Sequence, residues 1–148
     1  MKSTMQKEVT ILIAEDDDGH ASLIERNLKR AGVHNEVRRF ADGQEVLDFL
    51  LAAAEASGQQ GGRSFLLLLD INMPKLDGIE VLREVKNNPL LKRIPVIMIT
   101  TADDPREVEK CHELGCSNYV TKPVEYEKFV NSIRQLGLFL LIVEVPEV

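Results

Sequence analysis

FLLLLDI, residues 65–71, is a phenylalanine and a run of leucines that ends in Asp70 and Ile71. It shows no alternation of apolar and polar residues. That pattern suits a strand covered on both faces, as in a parallel sheet layered between helices. The run is short for a helix, and Asp70 at its end raises a question of its own. A carboxylate at the end of a buried strand is costly without a partner.

Working outward, VTILIA (9–14) and PVIMIT (95–100) have the same nearly all-apolar character. NEVRRF (35–40) and NYVTK (118–122) are more polar and suit the edges of the sheet. Helical periodicity fills the gaps. Ala21, Ile24, Leu28 and Ala31 recur at helical spacing, with Gly32 placed to end that helix. Asp42 and Glu45 form a capping-box pattern before VLDFLLAAA. Ile79, Leu82 and Val85 mark a third helix that stops near Asn88 and Pro89. Asp104, Pro105 and Glu107 open a fourth, with Val108, Cys111 and Leu114 facing inward. Phe129, Ile133 and Leu136 mark the last, with Gly137 as its stop. Five βα units of this kind, joined by right-handed crossovers, make an α/β fold: a doubly wound, five-stranded parallel sheet with helices on both faces. The stretch 56–64, rich in glycine and glutamine, is expected to be a loop. The division that follows is an N-terminal tail (1–8), one domain (9–137) and an apolar C-terminal extension (138–148).

The 148 residues suit one domain, and a hydrophobic share of 44% suffices for a core. A net charge of -6 argues against a nucleic-acid surface. Cys111 and Cys116 fit no metal or redox spacing, and a reducing cytoplasm is the simplest home for them. MKSTMQKE (1–8) has no apolar core and is not read as a signal peptide. LFLLIV (138–143) is too short to span a bilayer, so no membrane association is expected. His20, His34 and His112 form no ligand spacing and read as surface or helix residues.

In an open parallel sheet, ligands bind beyond the carboxyl ends of the strands. The residues there are Glu15 and Asp16 after the first strand, Asp70 with Ile71 and Asn72 after the third, Thr100 and Thr101 after the fourth, and Lys122 with Pro123 after the fifth. Several carboxylates close together need a cation, and hard oxygen ligands suit Mg2+. A lysine and a threonine beside them can hold phosphate oxygens, and a carboxylate between metal and lysine can act as a nucleophile towards phosphorus. Of the four acids 15–18, Glu15 and Asp16 fit this metal role, whereas Asp17 or Asp18 is better placed to cap the first helix.

ILIAED, LLLLDINMPKLDG, PVIMITTAD and NYVTKP, in this order, resemble the receiver domain of bacterial two-component response regulators over roughly residues 9–136. The resemblance implies the flavodoxin-like receiver fold and a set of roles. Asp70 is the implied phosphoacceptor. Asp16 and Asp70, Glu15 through water, and the backbone carbonyl of Asn72 hold Mg2+. Thr100, Thr101, Ala102 and Lys122 bind the phosphate. Thr100 and Tyr119 form the switch, although Tyr119 also reads as plain packing over the sheet edge. Lys122–Pro123 matches a bond usually cis, and Pro74 and Gly78 match the loop after the acceptor. Asn72 and Ala102 occupy the positions that tune dephosphorylation in the family. The long loop before Phe65, the stretch 70–104 and the tail are similar to single-domain regulators associated with phytochrome histidine kinases.

The implied function is that of a phosphoacceptor signalling protein rather than an enzyme. It takes its phosphoryl group from a histidine kinase, in a light-sensing pathway, and acts through an unknown downstream protein, since no output domain is expected after the last helix. An intermediate carrier in a phosphorelay is the alternative. A Mg2+ phosphatase of the haloacid-dehalogenase type would need a second aspartate where Asn72 stands. A flavin or nucleotide domain would not place EDDDG (15–19) where phosphate binds. An unphosphorylated scaffold would not need the intact site. Left exposed, LFLLIV invites aggregation. It either folds back on its own domain or packs on another chain. The second is preferred, as part of a homodimer through the last helices, last strand and extension.

Overall fold

The computed structural model describes residues 9–60, 63–123, 125–141 and 145–146. In chain order the elements are β1 (Val9–Ala14), α1 (Asp18–Arg30), β2 (Val37–Phe40), α2 (Gly43–Gln60), β3 (Ser64–Leu69), α3 (Gly78–Asn87), β4 (Val96–Thr100), α4 (Pro105–Leu114), β5 (Asn118–Thr121) and α5 (Tyr126–Leu140). The strands form one parallel sheet in the order β2-β1-β3-β4-β5. The two polar strands are therefore the edges, as their composition implied.

The leucine run explains itself in this sheet. Side chains of a strand alternate between faces. Leu67 and Leu69 face the core under α2, α3 and α4, with Leu12, Ala14, Val96 and Met98. Leu66 and Leu68 face the core under α1 and α5, with Ile11, Ile13, Ile97 and Ile99. All four leucines are fully buried. Each contributes about 2 kcal/mol of transfer free energy, so the central strand is apolar on both sides because both sides hold a helix layer.

Short polar side chains start the helices. Asp17 accepts from the His20 N–H at 2.9 Å, Asp77 from the Glu80 N–H at 2.9 Å and Asp104 from the Arg106 N–H at 2.9 Å. At α2, Asp42 accepts from the Glu45 N–H at 2.8 Å, and Glu45 returns a bond to the Ala41 N–H rather than to Asp42. Gly32 has φ 100, the left-handed geometry that closes α1.

Two expectations need correction. Gly137 does not stop the last helix, because α5 continues to Leu140. A Cβ at Gly137 would sit 2.7 Å from the Ala31 Cβ, so the glycine is there for close approach of α5 to α1. The boundary drawn after it falls inside a helix. The stretch 56–64 is not all loop, since α2 runs to Gln60. Alanine and glutamine are good helix formers, and one glycine costs only about 1 kcal/mol. Gly61 and Gly62 lie outside the described residues. On α4, Cys111 is fully buried and Leu114 packs against the same core, as expected of an inner face, with Val108 half-buried.

The apolar tail divides. Leu140 is fully buried, and Leu141 and Val145 pack on the α1/α5 core, so this part folds back on its own domain. Leu138 and Phe139 remain 60% and 40% exposed. Residues 142–144 and 147–148, like the tail 1–8, lie outside the described residues. Among the described residues no helix is long and apolar enough to cross a membrane.

Candidate phosphoacceptor site

The sheet itself carries the site residues one step beyond the strands. Asp70 N–H donates to the Ala14 carbonyl at 3.0 Å, Glu15 N–H to Phe40 at 2.9 Å and Lys122 N–H to Thr100 at 2.7 Å. Each functional residue is thus held by a ladder-type bond to the neighbouring strand. Glu15, Asp70, Thr100 and Lys122 are all buried, while Asp16 is exposed.

Lys122 organises the centre. Its ammonium makes a very short ion pair with Glu15 and a second with Asp70 Oδ2 at 3.0 Å. The other Asp70 oxygen, Oδ1, accepts from the Asn72 N–H at 3.3 Å. Oxygens of Glu15, Asp16 and Asp70 lie within 4.8 Å of one another. One ammonium does not balance three carboxylates. Burial, opposed by the hydrogen bond from Lys122 and reinforced by the Asp70 charge, pushes the Glu15 carboxyl up to about 7. An all-oxygen donor set of this charge fits a hard divalent cation, which would complete the balance.

The four consecutive acids have separate tasks. Glu15 pairs with Lys122, Asp16 faces solvent beside the cluster, Asp17 caps α1, and Asp18 pairs with Arg39 at 2.5 Å. Arg39, on the edge strand β2, also donates from Nε and Nη2 to the Glu15 carbonyl at 3.0 and 2.8 Å. It clamps the β1–α1 loop at both ends of the acidic run. Arg39→Ala is expected to weaken divalent-cation affinity about tenfold, as loss of supporting contacts around metal ligands does. Titration with Mn2+ followed by magnetic resonance measures this. An unchanged affinity would show that the loop holds itself.

Around Thr100 a second set of bonds meets at one residue. Thr100 Oγ1 accepts from the Ala102 N–H at 3.3 Å, and Tyr119 OH donates to the Ala102 carbonyl at 2.6 Å. Burial pushes the Tyr119 hydroxyl up to about 12, so it remains a donor. Thr100 and Tyr119 are therefore mechanically joined through the β4–α4 loop. Thr101 is exposed.

The residues expected from the sequence thus converge: Glu15, Asp16, Asp70 and Lys122 in one cluster, with Thr100 at the adjacent strand end and Tyr119 one strand over. The cis expectation for Lys122–Pro123 is not met, because no peptide bond among the described residues is cis. The trans form is intrinsically favoured, and Lys122 makes both its Thr100 and its Asp70 bonds with it. His20 is a helix residue, as expected, and its Nδ1 also lies 3.0 Å from Lys122 Nζ, a contact the sequence reading missed. The available signal was its place in the first turn of α1, three residues after the cap Asp17, where side chains lean back towards the loop.

A buried aspartate beside a lysine, an acidic cluster suited to a divalent cation and a threonine at the next strand end are the arrangement expected of a receiver domain. The comparisons agree with this expectation. The model of the response regulator receiver domain matches residues 11–134. The chain is 35% identical over 131 residues to response regulator Rcp1 of Synechocystis sp., covering 88% of each chain. Rcp1 in its Mn2+-bound form superposes with a TM-score of 0.82 at 34% identity, over 93% of this chain and 98% of that one. A response regulator receiver domain from Rhodospirillum rubrum shares 50% identity at TM-score 0.87, over 93% and 97% of the two chains. The phosphorylated cyanobacterial phytochrome response regulator RcpA shares 31% at TM-score 0.78, over 93% and 97%. This chain belongs to the response regulator receiver family.

Proposed function

We propose that Asp70 accepts a phosphoryl group from the phosphohistidine of a histidine kinase. A carboxylate oxygen of Asp70 forms the new O–P bond, and the P–N bond to the imidazole breaks, the ring leaving with the bonding electrons. The observation that carries this reading is Lys122 Nζ at 3.0 Å from Asp70 Oδ2, both buried, beside the carboxylates of Glu15 and Asp16. Mg2+, held by Asp16, Asp70, Glu15 and the Asn72 carbonyl, would supply positive charge for the phosphoryl oxygens. Lys122 would neutralise one of those oxygens and Thr100 would donate a hydrogen bond to another, with the backbone of Thr101 and Ala102 beside them. The Ala102 link would carry the change from Thr100 to Tyr119 and the half-packed α4. Treating the protein with phosphoramidate and Mg2+, then mapping the adduct by peptide mass, tests the assignment. A stable adduct on another residue would overturn it.

The similarity to the cyanobacterial phytochrome response regulator RcpA supports a phytochrome-type kinase as donor. The protein acts in this reading as a phosphoacceptor rather than a turnover enzyme, in the cytoplasm, where Cys111 and Cys116 remain free buried thiols. Its output is a phosphorylation-dependent contact with another protein.

A homodimer through β5 and α5 is part of the same proposal. Leu138 and Phe139 are exposed on α5, and Phe139 borders a cleft of about 220 Å³ with Asn118, Val120 and Leu136 beside the edge strand. Substituting Leu138 and Phe139 together by glutamate is expected to give a monomer by sedimentation velocity, with the fold intact. A dimer that persists in the double variant would place the interface elsewhere.

A further inference from the structure

An ammonium group has three N–H bonds, and on Lys122 all three are used. They point to the Glu15 carboxylate, to Asp70 Oδ2 at 3.0 Å and to His20 Nδ1 at 3.0 Å. Since the ammonium only donates, Nδ1 of His20 is the acceptor in this contact. His20 is held at its backbone and at its ring. Its own backbone N–H is bonded to Asp17 at 2.9 Å, which fixes the first turn of α1. Its ring meets buried Phe129 of α5 edge to face, with centroids 5.4 Å apart and planes at 85°. His20 therefore presents Nδ1 to Lys122 from a fixed direction.

The three acceptors are not equivalent. Glu15 and Asp70 are carboxylates of the cluster, and their charge is what a cation or an incoming phosphoryl group would engage. His20 contributes no oxygen to that cluster. It can keep its bond to Lys122 while the other two are redirected. We infer that His20 is a positioning residue, which holds the Lys122 ammonium over Asp70 while that carboxylate gains and loses its phosphoryl group. The inference rests on the phosphoacceptor reading of Asp70. The competing view is that His20 only packs against Phe129.

Two variants separate these views. His20→Asn keeps an acceptor oxygen at a similar distance from the backbone, and His20→Leu keeps apolar bulk without one. Phosphoryl uptake from phosphoramidate with Mg2+ is followed by intact-protein mass at several donor concentrations. The Lys122 side-chain ammonium is followed by NMR without metal or phosphate. His20→Leu is expected to lower the maximal uptake rate about tenfold, with the half-saturating donor concentration unchanged, and to shift the Lys122 signal. His20→Asn is expected to stay within about threefold of the parent rate, with equal thermal midpoints for all forms. A Leu variant as fast as the parent overturns the inference, and so does an Asn variant as slow as Leu. If the unaltered protein takes up no phosphoryl group, the phosphoacceptor reading fails. The NMR signal then decides alone: a shift in Leu but not in Asn supports the positioning contact, and no shift in either overturns it.

Discussion

Asp70→Asn is expected to lose phosphoryl uptake by at least about a thousandfold, since the substitution removes the nucleophile. The amide has the same shape, so the fold should survive. Lys122 keeps its contacts with Glu15 and His20, and the backbone bond from Asp70 N–H to Ala14 does not involve the side chain. A stability change within about 1 kcal/mol is expected. The neighbouring acids are poor substitutes. Glu15 is tied to Lys122 and raised towards the neutral form by burial, and Asp16 is exposed and makes no ion pair among the described residues. The measurement is transfer of label from a phosphorylated histidine kinase, with urea denaturation in parallel. Transfer at the parent rate in a folded Asp70→Asn protein would sink the assignment of the acceptor.

Gly78→Ala is expected to be the most destabilising small substitution near the site, by about 3 kcal/mol. Gly78 is the first residue of α3, and its N–H donates to the Ile71 carbonyl at 2.8 Å. A Cβ there would lie 2.1 Å from the Asp70 carbonyl oxygen and 2.8 Å from both the Asp70 carbonyl carbon and Ile71 Cα. These are backbone atoms, so no side-chain rotation relieves the overlap. Either α3 moves away or the peptide after Asp70 shifts, and the second also displaces the carboxylate from Lys122. Gly19→Ala is the control, because its Cβ would meet only the Asp17 carboxylate, at 3.2 Å. Urea midpoints of the two variants give the comparison. A Gly78→Ala protein within 1 kcal/mol of the parent would mean that the α3 start is looser than its contacts indicate.

Much of the fold was legible because the strongest signals are local. The apolar runs of β1, β3 and β4 carry their own burial, since only a strand covered on both faces tolerates leucine or isoleucine at every position. The helix starts at Asp17, Asp42 and Asp104 follow from side chains that bond their own backbone. The polar edges β2 and β5 followed from composition for the same reason. Gly137 reads as a stop until α1 is seen lying against it. The end of α2 is misread for a local reason, since the glycines at 58, 61 and 62 suggest a loop although alanine and glutamine carry the helix to Gln60.

The sequence by itself determined the order of βα units, the acids and lysine that follow the buried strands, and hence the edge at which chemistry gathers. A carboxylate at the end of a leucine run demands a partner, and that demand is written in the chain. Tertiary structure alone decided which partner each acid received. Arg39 reaches across from β2 to Asp18 and the Glu15 carbonyl, and His20 supplies the third acceptor of Lys122. Neither contact has a spacing rule, because each joins residues brought side by side only when the strands align in the order β2-β1-β3-β4-β5 and α1 packs beside α5.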